Sequence, residues 1–399
     1  MPKLLQINVT ANWASHGHIA ENIGKMAIAD GWESWMAYGR GTPTSASTLI
    51  RIGNDWDMRF HALQTRIFDN QGLASKNTTR EFLNKIEAIK PDIVHLHIIH
   101  GYYLNYPMLF EMLKKMDTHV VWSMHDCWAW TGHCPHYEYV GCNRWQTGCF
   151  DCPALSSYPA SKVFDRSKKN YQAKRDAFLG IKNLTIVPVS DWLKKELGKS
   201  FLKDYPAVTI HNGIDLSIFR PSGARKDNPD NHIILGVASV WDTRKGLGEF
   251  TKLRSLLPDK FHIILVGLTP EQIAKLPRGI EGIRRTENIE QLVDLYSMAD
   301  VFVNPTFEDT FPTTNLEALA CGTPVITYRT GGSPEAIDEH TGRVVEYGNT
   351  DMLAASVIDV CRTRPFRGTD CRRRAETNFD CNNAFREYIN LYNHLIQSH

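Results

Sequence analysis

The chain has 399 residues, enough for two domains with a core each, and its 45 basic side chains are almost cancelled by 44 acidic ones. That balance argues against a nucleic-acid-binding protein, which carries a basic bias, and the 42% hydrophobic content argues against a disordered chain. The start, MPKLLQINVTANW, has no apolar stretch of signal length and no small-residue cleavage site, and no segment nears the ~20 apolar residues of a membrane helix, so a soluble cytoplasmic protein is expected.

In chain order, short apolar runs bounded by turn residues predict strands at LLQINV (4–9), DIVHLHI (92–98), HVVWSM (119–124), TIVPV (185–189) and AVTI (207–210). Helical spacing appears between them, as at 79–89 and 191–197. The polar stretch SGARKDNPDN (222–231) reads as a linker. A second series follows: HIILGVAS (232–239), KFHIILVG (260–267), DVFVNP (300–305) and TPVITY (323–328). Strands alternating with helices predict an α/β chain of two doubly wound, Rossmann-like domains with mostly parallel sheets, at 1–217 and 218–380. The tail 381–399 contains an amphipathic helix, FREYINLYNHLI (385–396), expected to cross back to the N-terminal domain. Ligands of such domains bind beyond the carboxyl ends of strands, near the point where strand order reverses. Residues that follow strands are therefore the candidates.

The segment NPTFEDTFPTTNLEALACGTPVITYRTGGSPEAI (304–337) is the richest of these. A strand ends near Pro305, an acidic, Thr-rich loop follows, and a helix runs from Thr314 to Gly322, with Pro324 beyond. Thr314 and Glu317 have capping-box spacing, so Glu317 has one reading as a helix cap. The other reading is an anion site: a diphosphate on the amides of 310–314 at the positive end of the helix, with the Glu317 carboxylate one turn in, holding a ribose diol.

The segment resembles the donor-binding motif of family-4 retaining glycosyltransferases, whose pattern is an acid, seven residues, Glu, then Ala-(Met or Leu)-Ala-x-Gly-x-Pro-Val. Here these are Asp309, Glu317 and EALACGTPV (317–325). IHNGID (210–215) with Phe219 and Pro221, RKG (244–246) after ILGVAS, ENIEQLVDLYSMADVFVNP (287–305) and SHGHIAENIGKMA (15–27) resemble further segments of that family, in its order. The resemblance implies the GT-B fold, two Rossmann-like domains facing across a cleft, with the acceptor on the first and the nucleotide sugar on the second. It implies transfer, with retained configuration, from a GDP- or UDP-sugar to a glycan or lipid-linked acceptor in cell-surface polysaccharide biosynthesis, with no nucleic acid involved. A nucleotide-sugar epimerase and a non-catalytic sugar-binding protein are the alternatives on the same architecture.

Residue by residue, the resemblance gives Glu317 the ribose, Asp309 (where the family has Glu) the sugar, and Lys245 the departing diphosphate. Ser239 stands where the family has Arg, with Arg244 or Trp241 as substitutes. Amides at Thr310, Phe311 and Thr313 face sugar and phosphates; Pro312 has none to offer. Gly17 matches the first loop, where backbone approaches a phosphate, and His125 matches a position beside the donor sugar. His125, Lys245 and Asp309 form the catalytic set. Gly331 and Gly332 give either a close approach to the sugar or a plain turn. No nucleophile is evident, which favours front-face departure and attack, with the protein positioning partners and stabilising the leaving group. The chain is read as carrying no Asp-x-Asp cue for a divalent ion, so catalysis is expected to need no metal or other cofactor.

Within an insertion at 126–153, Cys134, Cys142, Cys149 and Cys152 are spaced C-x7-C-x6-C-x2-C. A similar insertion, with HD, TG, C, RW and GC-x-x-C in order, occurs in a polysaccharide, colanic-acid-type subset of the family. Three readings stay open: a structural zinc, with His133 or His136 replacing one sulfur; reduced thiols; or disulfides, which a cytoplasmic setting disfavours. Trp128, Trp130, Tyr137, Tyr139 and Trp145 are candidates for stacking on an acceptor sugar or for the insertion's own core. Cys321, Cys361, Cys371 and Cys381 are expected as buried thiols. The basic KVFDRSKKNYQAKRDAF (162–178) reads as a solvated helix or as a peripheral contact with anionic headgroups at the inner face of the membrane.

Overall fold

The computed structural model describes residues 1–224 and 231–397, so residues 225–230 of the expected linker lie outside the described residues. The chain forms two compact units: Met1–Ile210 together with the chain end from Phe385, and His211–Ala384. The division falls before the 217/218 boundary expected from sequence. Ile214 bridges Asp380, and a Cβ on Gly213 would lie 2.3 Å from the Cα of Cys381, so 211–217 is packed into the second unit.

The first unit is a six-stranded sheet: β1 (Lys3–Thr10), β2 (Glu33–Arg40), β3 (Thr48–Arg51), β4 (Ile93–Leu96), β5 (His119–Met124) and β6 (Leu184–Pro188), in the order β3-β2-β1-β4-β5-β6. All of its pairings are parallel. Leu4, Leu5, Ile7, Ile93, Val94, Val120, Val121 and Ile186 are fully buried. A parallel sheet covered on both faces needs such unbroken apolar runs, which is why these strands are readable. The run at 207–210 is not a strand. It lies along β6 with a single bridge, Ile186 to Ala207, and Ile210 N–H donates to Pro188 O. Pro188 has no N–H to return, so the ladder stops there.

The last helix, Cys381–Gln397, docks on this sheet from Phe385 onward. The Tyr392 hydroxyl lies 2.6 Å from His95 Nδ1, and the Tyr388 hydroxyl 2.8 Å from Ser123 Oγ. The Asp-x-Asp expectation is corrected in this unit, because Asp55-Trp56-Asp57 is such a triplet. Both carboxylates serve the start of the helix Asp55–Phe68: Asp57 completes a capping box with Asn54, and Asp55 pairs with Arg51.

The second unit repeats the plan: β7 (His232–Val237), β8 (Phe261–Val266), β9 (Ile280–Ile283), β10 (Val301–Asn304), β11 (Val325–Tyr328) and β12 (Gly342–Val345), in the order β12-β11-β10-β7-β8-β9. Its pairings are also parallel. Ile234, Leu265, Val303 and Ile326 centre its core. Order reverses between β7 and β10, so the loops leaving these neighbouring strands meet where such sheets bind ligands.

The first unit also buries neutral histidines. Burial pushes His61 down to about 4 and holds His95 and His97 well below the ordinary 6.5, with neighbouring histidines adding to the effect on the latter two. A group with a depressed folded pKa stabilises the fold above its unfolded pKa and loses that stabilisation as pH falls through the folded value. Calorimetry is therefore expected to show Tm falling steadily from pH 6.5 to about 4; a flat or rising Tm across that window would contradict this.

Candidate functional site

The loops after β7 and β10 are clamped together. Phe307 N–H donates to Arg244 O at 2.7 Å. Gly246 has φ +77, and a Cβ there would sit 2.2 Å from Pro305 O, so only glycine fits this turn. Asp242 shapes the turn from inside, accepting Lys245 N–H at 2.9 Å and the Arg244 Nε–H at 3.0 Å.

The clamp aims two cations at two adjacent acids. Lys245 Nζ lies 2.6 Å from Asp309 Oδ2, and Arg244 lies 2.8 Å from Glu308 Oε1. Burial opposes the charge on Arg244, but its hydrogen bonds and charge pairing with Glu308 and Asp242 prevail and raise its pKa. The other oxygen of Asp309 accepts Phe311 N–H at 3.2 Å. One carboxylate thus links the Lys245 ammonium to the residues that lead into the helix Thr313–Ala320.

That helix starts after Pro312, and no side chain caps it. The capping-box reading of Thr314 and Glu317 is not realised. Glu317 instead accepts the Tyr296 hydroxyl at 2.8 Å, from the preceding helix Ile289–Met298. Burial raises the Glu317 pKa, with hydrogen bonds from Tyr296 and Thr313 pulling the other way. The first amides of a helix have no intrahelical acceptor, and Thr313 and Thr314 are only half-buried, so this end is not sealed. Phe311 is buried, its ring 4.9 Å from that of His211, and Thr310 is buried too. Asn315 holds the helix in place, donating to Ser333 Oγ at 3.0 Å, while Gly332 N–H donates to Asp309 O.

Lys245, Arg244, Asp309, Thr310, Phe311, Thr313 and Glu317 therefore gather around one helix end. Ser239 is exposed just past β7. Trp241 does not stand in for the missing Arg: it is a core residue whose indole N–H donates to Val266 O. Sequence reasoning missed Tyr296 and Asp242. Asp242 had a signal, an Asx position three residues before Lys245.

Gly17 and His125 belong to the first unit. Gly17 is not in a loop; it lies inside the helix Ala14–Ala29, where a Cβ would meet Thr10 Oγ1 at 2.8 Å. Glycine there lets the helix sit close against the end of β1. The left-handed backbone of the preceding turn is at Asn12, with φ 47. His125 follows β5, with its Nε2 3.4 Å from His97 Nδ1. The neighbouring hydrogen bonds assign the roles in this pair. Gln6 Nε2 donates to Ala20 O at 2.8 Å, so Gln6 Oε1, 3.0 Å from His97 Nε2, is the acceptor there. His97 then carries its proton on Nε2, and its Nδ1 accepts from His125 Nε2–H. Burial brings His125 down to about 4, against the pull of Asp126 and with help from His100, so it is neutral at pH 7.

The cysteine insertion packs on an aromatic core. Trp128, Trp130, Trp145 and Tyr137 are buried, while Tyr139 is exposed. Lys174, from the helix Ser167–Phe178, is buried and donates to Trp128 O and Thr131 O, with Nζ 3.5 Å from the Trp128 ring centre. It is thus withdrawn from the basic surface expected at 162–178. His133 pairs with Asp69 at 2.6 Å. All nine cysteines are thiols. Cys134 shares a hydrogen bond with Cys152, and Cys149 Sγ accepts Gly132 N–H at 3.0 Å. Cys134, Cys142, Cys149 and Cys152 are thus near enough to influence one another's ionisation, with Cys149 and Cys152 acting on Cys134 and Cys142 and Cys152 acting on Cys149. Cys321, Cys361, Cys371 and Cys381 are buried.

Residues 231–363 match the family described as glycosyl transferases group 1. The chain is 24% identical to the putative colanic acid biosynthesis glycosyl transferase WcaC of Escherichia coli K12, with 98% of this chain and all of that one covered. It is 25% identical to the D-inositol 3-phosphate glycosyltransferase of Streptomyces coelicolor, over 68% of this chain and 72% of that one. Among solved structures, the sucrose-phosphate synthase of Thermosynechococcus elongatus superposes with a TM-score of 0.73 at 17% identity over all of both chains. HepE of Anabaena, in complex with UDP, does so with 0.65 at 13% identity over 98% and 99%. These structural likenesses establish the GT-B fold.

The tautomer assignment is open to direct measurement. Nitrogen-15 NMR of the imidazoles is expected to show neutral His125 with its proton on Nε2 at pH 7; a proton on Nδ1 would break the assignment.

Proposed function

We propose that this chain, a glycosyltransferase of the GT-B fold with a group 1 domain at 231–363, moves a sugar from a nucleotide-sugar donor to a glycan or lipid-linked acceptor in polysaccharide assembly. The full-length likeness to WcaC supports that setting. The observation that carries the reading is the convergence of Lys245 with the uncapped start of the helix Thr313–Ala320, bridged by Asp309 at the strand-order switch point.

In this reading the diphosphate takes the Lys245 ammonium from Asp309 and rests against the helix amides. The cation and the helix dipole offset the charge that builds on the leaving group, so the chemistry calls for no divalent ion. Asp309, released from Lys245, turns to the sugar. Glu317 accepts the ribose hydroxyls, and Tyr296 holds its second oxygen. Arg244 keeps Glu308 and Asp242 neutralised and so preserves the turn that aims Lys245. Retention follows from front-face attack by the acceptor, with no side chain acting as nucleophile. UDP-sugars are the first donors to try, because HepE structures hold UDP and UDP-glucose, and GDP-sugars are the second.

Release of nucleoside diphosphate from a panel of UDP- and GDP-sugars tests this. Lys245→Ala is expected to lower kcat by about 10²–10³, the loss typical of one preorganised charge donor. Glu317→Ala is expected to act mainly on the donor KM. Undiminished turnover in Lys245→Ala would contradict the mechanism, and absence of nucleotide binding by the wild-type protein would favour a non-catalytic sugar-binding role.

A further inference from the structure

The helix Asp55–Phe68 is inside out. Its inward stripe is Met58, His61 and Thr65, all buried, two of them polar. Its outward stripe is apolar: Trp56 is 74% exposed, Phe60 62% and Leu63 54%, with Ile67 following at the same helical spacing. A simple rotation would bury the apolar stripe, but three contacts forbid it. Asn54 and Asp57 lock the first turn in a reciprocal cap, with Asn54 Oδ1 accepting Trp56 N–H at 2.8 Å. His61 is bonded on both ring nitrogens, to Ser75 Oγ at 2.8 Å and to Gly72 N–H at 3.0 Å. The outward apolar stripe is therefore fixed by the local hydrogen bonding.

The patch extends beyond the helix. Residues 162–164 run along its last turn, with Lys162 N–H donating to Arg66 O and Phe164 N–H to Ile67 O. This brings up Val163, 62% exposed, and the Phe164 ring, stacked on Phe68 at 5.9 Å between centroids. The border is cationic. Arg59 and Arg66 flank the stripe from the same helix, and Lys162 lies at its edge, all exposed. The nearby acids are committed elsewhere: Asp55 to Arg51, Asp57 to the cap, and Asp165 to the N–H groups of Cys152 and Ser167. An aromatic and aliphatic stripe flanked by guanidinium and ammonium groups is complementary to an anionic bilayer surface: the rings enter the acyl boundary and the cations meet the headgroup phosphates. A protein partner would have to match the apolar stripe and the cationic border in fixed positions, whereas a bilayer accommodates both without specific shape.

We propose that Trp56, Phe60, Leu63, Ile67, Val163 and Phe164 form a membrane-docking face of the first unit, held to anionic lipid by Arg59, Arg66 and Lys162. The face takes only Lys162, Val163 and Phe164 from the basic segment expected at 162–178; the helix Ser167–Phe178 is not part of it, and its Lys174 is buried. It belongs to the first unit, and Lys245, Asp309 and Glu317 belong to the second, so its test does not depend on turnover.

The full chain is to be sedimented with vesicles of phosphatidylcholine alone and of an equal mixture of phosphatidylcholine and phosphatidylglycerol. Binding is expected to the mixed vesicles, weakening as salt screens the cations. The double variant Phe60→Glu, Leu63→Glu, at two exposed positions, is expected to lower the partition coefficient by about tenfold or more. Arg59→Glu with Arg66→Glu is expected to remove the preference for anionic lipid. Circular dichroism and nucleotide binding serve as controls that both variants are folded. The proposal is overturned by wild-type protein that ignores mixed vesicles, or by equal binding of the folded Phe60→Glu, Leu63→Glu variant. It is also overturned by light scattering that shows a wild-type dimer which the same variant converts to monomer, since a second copy would then cover the face.

Discussion

The contact of Gly246 with Pro305 O is the constraint on which the candidate site rests. A side chain at 246 would drive the β7 turn and the β10 loop apart, because its Cβ would fall 2.2 Å from a carbonyl oxygen. With glycine there, Arg244 O can accept Phe307 N–H, and the two loops become one surface. Lys245 then points toward Asp309 and the helix that follows. The sheet supplies the rest: β7 and β10 are hydrogen-bonded neighbours, so two segments far apart in sequence leave it side by side.

Magnitudes decide what the ion pairs do. The Lys245–Asp309 pair is partly exposed, at 29% and 18% for the two side chains, and pairs in such surroundings contribute on the order of 1 kcal/mol or less to stability. It is a poor stabiliser of the fold but a good placeholder. Under the proposed function it keeps the ammonium aimed until a diphosphate, with more charge, displaces Asp309. Arg244 is held by two acids, one of them buried Glu308, and is better suited to support the loop than to leave it. Glu317 is half-buried, with no cation on it among the described residues, and burial raises its pKa; a hydrogen-bonded carboxyl is the form that can wait there without a cation.

Much of this was legible because of parallel-sheet chemistry. Strands buried on both faces read as apolar runs, and ligand-binding loops are expected after them, which pointed to the segment from Asp309 to Glu317, whereas RKG was found through the family resemblance. β3, β9 and β12 were not legible: each has four residues, and IEGI and GRVV carry a glycine and a charge that break any pattern. β2, ESWMAYGR, gave no continuous run. The stretch 207–210 had the composition of a strand but met Pro188 at its one partner. Tyr296 was hidden because its link to Glu317 is tertiary, and Lys174 misled because a lysine in a basic helix reads as solvated when here it braces the aromatic insertion. The outward direction of the stripe Trp56, Phe60 and Leu63 had no sequence signal, since periodicity reports a face without saying which way it looks.

The central claim is that the Lys245 ammonium and the start of the helix at Thr313 together form the seat of a diphosphate. The most direct test is a crystal structure with UDP or GDP bound. The account predicts the terminal phosphate within hydrogen-bonding distance of Lys245 Nζ and of the amides of Thr313 or Thr314, with the Lys245–Asp309 contact opened. A diphosphate bound elsewhere in the molecule, with Lys245 still on Asp309, would contradict it.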